Sequence, residues 1–406
     1  MMADGDTNKR LPLEGVKVLS VEQFITGPYC TQLLADAGAE VIKIERPGVG
    51  DPRRTIGPYI ETSEGQKVSG GFIQYNRNKK SLTLNLAAEE GKEVFRQLAG
   101  QMDVVVENLR PGSMKKMGLD YEALSPLNPR LIYAAISGFG QHGPYQQWPA
   151  LDIVVEAMSG IMDIVGFEDR PPTYTIYGMA DLYAGQVNAY SIMLALFARE
   201  MTGEGQMVDT SMYDSMIALN ERSVAIHSMT GQIPMRGRER VLGPRGAYEA
   251  RDGYVALNIP TDEMWGRLTE VLGREDLKND PRCSSGPERA ENSEFIRSVS
   301  EEWMSSLTQE EAVQRLLKAG VPAGPVRKVN ELFDCPQVKA RDMLLEVPHQ
   351  QVGPVQLASS PASLSDAPKV TPEAPPELGE HNRQILTDML GMPPEKIDIL
   401  EENGVI

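Results

Sequence analysis

Short β-branched apolar runs alternate with helical patterns through the first 140 residues. Val16–Val21 is bounded by Gly15 and followed by a helical stretch, Tyr29–Ala37. Glu40–Glu45, Ser81–Leu86, Met102–Glu107 and Leu131–Ile136 read as further strands, and Ala88–Leu98 as an amphipathic helix. Apolar strands separated by helices predict βαβ units and a parallel sheet covered on both faces. Ligands in such sheets bind beyond the carboxyl ends of the strands. The segments at those ends are Gln23–Gly27, Arg46–Asp51, Asn108–Gly112 and Gly138–Pro144. Val187–Ala198 is a longer apolar run, but it carries Asn188 and Ser191 and is too short for a membrane span, so it predicts a buried helix.

The pattern changes near Arg222. Arg236–Arg240 is a charged loop, and Gly246–Leu257 reads as a β-hairpin around Asp252-Gly253. Helical patterns follow at Glu263–Leu272, Ser293–Ser306 and Gln309–Ala319. The expected architecture is α/β: a large domain with a parallel, Rossmann-like sheet over 11–221, a smaller α+β domain over 222–325, and a return to the large domain over 326–406. The return contains a Pro-rich wrap, Pro361–Pro376, and a final helix beginning at Gly379–Leu390. Residues 1–10 read as a disordered tail without a signal-peptide core.

Composition narrows the function. The 406 residues, 41% hydrophobic and 24% charged, suit a soluble globular chain. Its three cysteines (Cys30, Cys283, Cys335) form no CxxC pair and point to a reduced, cytoplasmic setting. The four histidines lack metal-ligand spacing, so no metal is assigned. A net charge of −17 argues against nucleic acid or an anionic membrane as partner. No GxGxxG follows the first strand and no GxxxxGK[ST] occurs, which excludes a dinucleotide fingerprint and a P-loop.

Asp181 is the candidate for chemistry. It lies in Tyr177-Gly178-Met179-Ala180-Asp181, after a glycine turn and ahead of the apolar helix. A nucleophile and a helix N-cap both fit that position. Other segments favour the nucleophile: Leu13–Leu19 leading to Thr26-Gly27-Pro28, then Gly38–Gly48, Asn76–Ser81, Val104–Gly112 and Gly320–Val326. In this order and spacing they resemble the class III coenzyme A-transferases, the family of formyl-CoA and carnitine-CoA transferases and α-methylacyl-CoA racemase. The resemblance covers residues 11 to 390.

The resemblance implies an acyl-CoA:carboxylate CoA-transferase with acyl-CoA as co-substrate, no tightly bound cofactor, and small carboxylic acids as partners. It also implies an interlocked homodimer or pairing with a homologous subunit. Asp181 matches the nucleophilic aspartate. Gln23, Ile25, Thr26, Arg46, Leu84, Asn108, Leu109, Arg110 and Lys116 match coenzyme A contacts, and Asp152 matches an acid near the site, where a structural cap is an equal reading. Lys115-Lys116 reads equally as a solvated face, and Lys79-Lys80 reads as one. The racemase branch carries histidine where this chain has Leu151, which removes a second acid/base and demotes racemisation. Ile25 replaces a glutamine of the formyl-CoA branch, and Leu242–Gly246 replaces its glycine run, which disfavours oxalate and formate. Arg245 in that region is the candidate reader of a second substrate carboxylate. This suggests succinyl-CoA as donor and malate, citramalate or benzylsuccinate as acceptor. The alternatives are an acyl-CoA racemase or epimerase, and a non-catalytic subunit of a hetero-oligomer.

Overall fold

The computed structural model describes residues 9–236 and 244–406. Most of the predicted tail and most of the charged loop, including Arg238 and Arg240, therefore lie outside the described residues. So do Leu242 and Gly243 of the segment that replaces the glycine run.

The chain opens with β1 (Lys17–Val21), α1 (Thr26–Asp36) and β2 (Glu40–Glu45). A small hairpin, β3 (Tyr59–Glu61) and β4 (Lys67–Ser69), and the short α2 (Gly70–Ile73) precede β5 (Lys79–Thr83). Next come α3 (Glu89–Ala99), β6 (Val104–Glu107), α4 (Ser113–Met117), α5 (Tyr121–Leu124) and β7 (Ile132–Ser137). Helices α6 (Asp152–Met158), α7 (Ile161–Ile164) and α8 (Met179–Thr202) lead to β8 (Met207–Ser211), α9 (Met212–Leu219) and α10 (Glu221–Thr230).

Six strands form one parallel sheet in the order β5-β2-β1-β6-β7-β8. The sheet is buried on both faces because alternate residues feed separate cores. Leu19, Ile42 and Val105 pack on one face with Phe95, Leu98 and Leu386. Val18, Val41, Val104 and Val106 pack on the other with Leu34 and Ile192. The strand order reverses between β1 and β6, and a crevice opens beyond their carboxyl ends, as expected at such a switch point.

The chain divides into two units: Met1–Gly166 with Arg170–Ile233 and Asp342–Ile406, and Phe167–Asp169 with Pro234–Arg341. The second unit contains the predicted hairpin as β9 (Arg245–Ala250) and β10 (Gly253–Asn258). It also contains α11 (Asp262–Leu272), α12 (Gly286–Glu291), α13 (Ser293–Met304), α14 (Gln309–Lys318), β11 (Ala323–Pro325) and α15 (Pro336–Ala340). Its core gathers Val255, Leu257, Trp265, Leu268, Ile296 and Leu316.

The last segment returns to the first unit through β12 (Leu344–Val347), β13 (Val355–Ala358), α16 (Asn382–Leu390) and α17 (Pro394–Glu402). It covers the edge strand β5, whose free polar groups would otherwise invite pairing. The His381 amide donates to Ser81 O at 3.0 Å, and the Thr83 amide to Asn382 Oδ1 at 2.8 Å.

Helix α8 is twice the length of the predicted apolar run and begins at Met179, so Asp181 lies inside its first turn rather than ahead of it. Gly185, one turn on, is where α8 meets α1. A Cβ there would lie 2.7 Å from Thr26 O and 3.4 Å from Cys30 N, both backbone atoms. This close approach brings the start of α1 to the start of α8. Gly185→Ala is expected to destabilise the fold by about 1–3 kcal/mol through overpacking and to lower turnover roughly ten-fold or more by moving Asp181. Thermal unfolding and initial rates check both. A variant with unchanged rate and melting temperature would show that the crossing tolerates a methyl group.

Candidate active site

Asp181 is partly buried, and its Oδ1 accepts a hydrogen bond from the Thr26 hydroxyl at the first residue of α1. The helix cap is not Asp181. Gly178 occupies the N-cap position with φ +84°, a left-handed conformation that suits glycine. The exposed amides of the first turn are satisfied by Asp152, from the start of α6. Asp152 Oδ1 accepts from the amides of Ala180 at 2.7 Å and Asp181 at 3.3 Å, and Oδ2 from that of Gly178 at 2.9 Å. The Tyr174 hydroxyl also donates to Oδ2. One turn along α6, Glu156 Oε1 accepts from the Thr175 hydroxyl at 2.7 Å and Oε2 from its amide at 3.2 Å. Two carboxylates spaced i,i+4 thus hold the whole approach to α8. Of the two readings open for Asp152, the geometry shows a cap supplied from another helix.

Burial pushes the Asp181 carboxyl up to about 6; the Thr26 hydrogen bond opposes this, Asp152 adds to it, and the Arg53 charge opposes it. The group is ionised at neutral pH yet weakly solvated, which suits a carboxylate nucleophile.

The β1–α1 loop beside it is clamped from several sides. The Gln23 amide donates to Asn108 Oδ1 at 2.9 Å, and Asn108 Nδ2 donates back to Gln23 O at 2.8 Å, bridging the switch point. Phe24 adopts φ +65°, uncommon for a bulky residue, and its amide donates to Asp51 Oδ1 at 3.2 Å. Beneath the loop is a buried ion network. Lys43 Nζ lies 2.8 Å from Asp51 Oδ2 and 3.7 Å from Glu22 Oε1. Lys79 Nζ lies 2.9 Å from Glu22 Oε1 and donates to Pro28 O at 2.9 Å. The sequence placed Lys79 on a solvated face, and the structure corrects this: its side chain is fully enclosed because Glu22 and two neutral acceptors meet the ammonium there. The sequence signal for this network is Lys43, a cation inside the apolar strand β2, which implies buried acids nearby.

A cavity of about 670 Å³ opens at the carboxyl ends of β1, β2, β5 and β6, lined by Val21, Gln23, Arg46, Leu84, Leu109 and Lys92 among others. Four of the expected coenzyme A contacts, Gln23, Arg46, Leu84 and Leu109, therefore share one wall. Asn108 supports Gln23 from behind, Thr26 bonds Asp181, and Ile25 is buried. Arg110 and Lys116 are exposed on the turn and short helix after β6. Arg245 belongs to the second unit, exposed on β9 opposite Asn258. Among the described residues no group of His, Cys, Asp or Glu is arranged to hold a metal ion, and no helix is long and apolar enough to cross a membrane.

If Asp181 acts as a carboxylate, the rate constant should fall about tenfold per pH unit below about 6 and level off above it. The folded state binds this proton more tightly than the unfolded chain. Ionisation therefore costs stability, with the cost absent below the unfolded pKa of 3.8 and complete above about 6. Asp181→Asn should raise the melting temperature at neutral pH and lose that gain near pH 4. Equal melting temperatures for variant and native protein at neutral pH would contradict the raised pKa.

Comparison with known proteins gives a consistent result. The profile described as CoA-transferase family III matches residues 13–382. The chain is 38% identical over 384 residues to a succinyl-CoA:mesaconate CoA-transferase of Haloarcula marismortui, covering 93% of this chain and 96% of that one. It is 35% identical over 402 residues to a succinyl-CoA–D-citramalate CoA-transferase of Chloroflexus aurantiacus, covering 97% and 98%. A solved CAIB/BAIF family protein from Brucella suis superposes with a TM-score of 0.84 at 34% identity, over 94% of this chain and all of that one.

Proposed function

The chain belongs to CoA-transferase family III, and from that premise we propose that it moves coenzyme A from succinyl-CoA to a dicarboxylic acid, with Asp181 as the nucleophile. The observation that carries the mechanism is the Asp181 carboxylate, desolvated, bonded to Thr26 and freed from helix capping by Asp152. The names of the Haloarcula and Chloroflexus relatives support a succinyl donor and a dicarboxylic acceptor for this chain.

In this mechanism an Asp181 oxygen attacks the thioester carbonyl and expels the coenzyme A thiolate, leaving a mixed anhydride. The thiolate then attacks the Asp181 carbonyl carbon, which releases the donor carboxylate and forms an aspartyl thioester. The acceptor carboxylate attacks that thioester, expels the thiolate again and forms a second anhydride. Attack of the thiolate on the acceptor acyl carbon frees Asp181 and completes the exchange. No proton is consumed, so no general base is needed, and splitting the transfer lowers each barrier. Exclusion of water protects both anhydrides. The cavity at the switch point takes the coenzyme A, with Gln23, Leu84 and Leu109 along its wall and Arg46, Arg110 and Lys116 offering charge to its phosphates. Local cations answer the problem of a chain of net charge −17 binding an anion. Leu151, without acid/base chemistry, supports transfer over racemisation.

Incubation with succinyl-CoA followed by hydroxylamine should modify Asp181 alone, located by peptide mass spectrometry. Asp181→Ala should lose transfer by about 1,000-fold or more while retaining coenzyme A binding. Normal turnover by this variant would sink the mechanism.

A second copy of the chain is the proposed partner. Helix α8 exposes Tyr190, Leu194, Phe197 and Met201 at 63%, 50%, 67% and 70%, a stripe at i, i+4, i+7 and i+11. Such a stripe marks an interaction face. Sedimentation velocity should give a dimer, weakened by Phe197→Glu. A monomeric native protein would refute it.

A further inference from the structure

Four described arginines are almost fully buried: Arg53, Arg77, Arg199 and Arg289. Three of them have a carboxylate. Arg77 meets Asp36 at 2.6 Å, Arg199 meets Asp103 at 3.0 Å, and Arg289 meets Asp262. Arg53 is 3% exposed, its backbone amide donates to Asp51 Oδ1, and its guanidinium meets only neutral groups. Its Nε donates to Gly71 O at 3.1 Å and its Nη2 to Gln74 Oε1 at 2.7 Å, and its Nη1 takes part in neither bond. The guanidinium lies 5.6 Å from the centre of the Tyr75 ring. Among the described residues no carboxylate comes within ion-pair distance of it. A buried cation without a counter-ion is costly, and a site with that arrangement is suited to an anion that arrives with the ligand.

The position of Arg53 says which anion. It follows β2, on the carboxyl-end side of the sheet where ligands bind. Tyr75, beneath it, packs edge-on against Tyr29 at 6.2 Å. Tyr29 in turn lies against α8 at Gly185, where a Cβ would sit 3.2 Å from its ring, one turn from Asp181. The stack of Arg53, Tyr75 and Tyr29 therefore ends against α8 at Gly185, one helical turn beyond the nucleophile. The Arg53 charge also favours the ionised form of Asp181 without forming an ion pair with it. Gly71 makes room for the side chain, since a Cβ there would lie 3.3 Å from the guanidinium carbon.

We propose that Arg53 is a specificity-determining residue that binds the free carboxylate of the dicarboxylic substrate while its other end reacts at Asp181. The inference rests on the transfer reaction proposed above. It gives Arg53 the task that the sequence suggested for Arg245. A guanidinium held rigid by Gly71 and Gln74 presents its remaining donors in a fixed plane, which suits a carboxylate.

The test is single-turnover formation of the Asp181 coenzyme A thioester, read by release of the donor acid, from succinyl-CoA and from butyryl-CoA, which share chain length and differ in the terminal carboxylate. Native protein should prefer succinyl-CoA. Measured well above pH 6, where Asp181 stays ionised without the neighbouring charge, Arg53→Met should lower the rate with succinyl-CoA about ten-fold or more and spare butyryl-CoA, removing the preference. Arg53→Gln replaces it if the methionine variant does not fold, as judged by thermal unfolding. Added guanidinium chloride should restore succinyl-CoA turnover in either variant and leave butyryl-CoA unaffected. Equal loss for both thioesters, an unchanged preference, or a selective loss on Arg245→Leu instead would overturn the assignment. Native protein that acylates Asp181 with neither thioester would refute the transfer reaction itself, and the role of Arg53 with it.

Discussion

The site depends on one carboxylate that is not the proposed nucleophile. A helix leaves its first amides without partners, and an aspartate near its start ordinarily bends back to satisfy them. In α8 that need is met from outside, by Asp152 on α6, which takes the amides of Gly178, Ala180 and Asp181. Asp181 caps none of these amides, and its Oδ1 accepts from Thr26 instead. The left-handed Gly178 turns the chain sharply enough for this arrangement, and the approach of α1 at Gly185 brings the hydroxyl within reach. Remote capping, a glycine turn and a close helix crossing together convert an ordinary first-turn acid into an available one.

A second constraint holds the other side of the site. Glu22, Lys43, Asp51 and Lys79 are removed from water in a compact network under the β1–α1 loop. Buried ion pairs gain little net stability, because desolvation offsets much of the attraction. Their value here is geometric. Each charge has a defined partner, so the loop has one low-energy position, and the unfavourable backbone of Phe24 persists because its amide is held by Asp51. Asn108 adds a two-bond link from β6 to Gln23 across the reversal of strand order. Against this fixed background Arg53 stands out as the buried guanidinium whose charge is met by no acid of the described chain.

Local pattern determined much of the fold. The β-branched runs at Val16, Glu40, Met102 and Leu131 became strands within one or two residues of the expected ends, because a strand buried on both faces must be apolar throughout. The hairpin at Asp252-Gly253 followed from turn chemistry. The motif order was specific enough to indicate the family and to single out Asp181. The family resemblance also pointed to Gln23, Arg46, Leu84 and Leu109, and the structure gathers these four around one cavity at the carboxyl ends of the strands.

What the sequence left undecided was every role that depends on a partner distant in the chain. Whether Asp152 caps a helix or meets a substrate turns on 26 to 29 residues of intervening chain folding back upon it. Lys79 looked solvent-facing because its neighbours Asn78 and Lys80 are polar, while Glu22, which neutralises it, is 57 positions away. Arg53 sits beside Arg54 in sequence, yet the Arg54 guanidinium finds Glu45 while that of Arg53 finds Gly71, Gln74 and Tyr75. Periodicity and local propensity fix which segments become strands and helices and which faces they bury. The charge state and purpose of a buried polar group are set by the few groups that enclose it, and only the tertiary structure decides which those are.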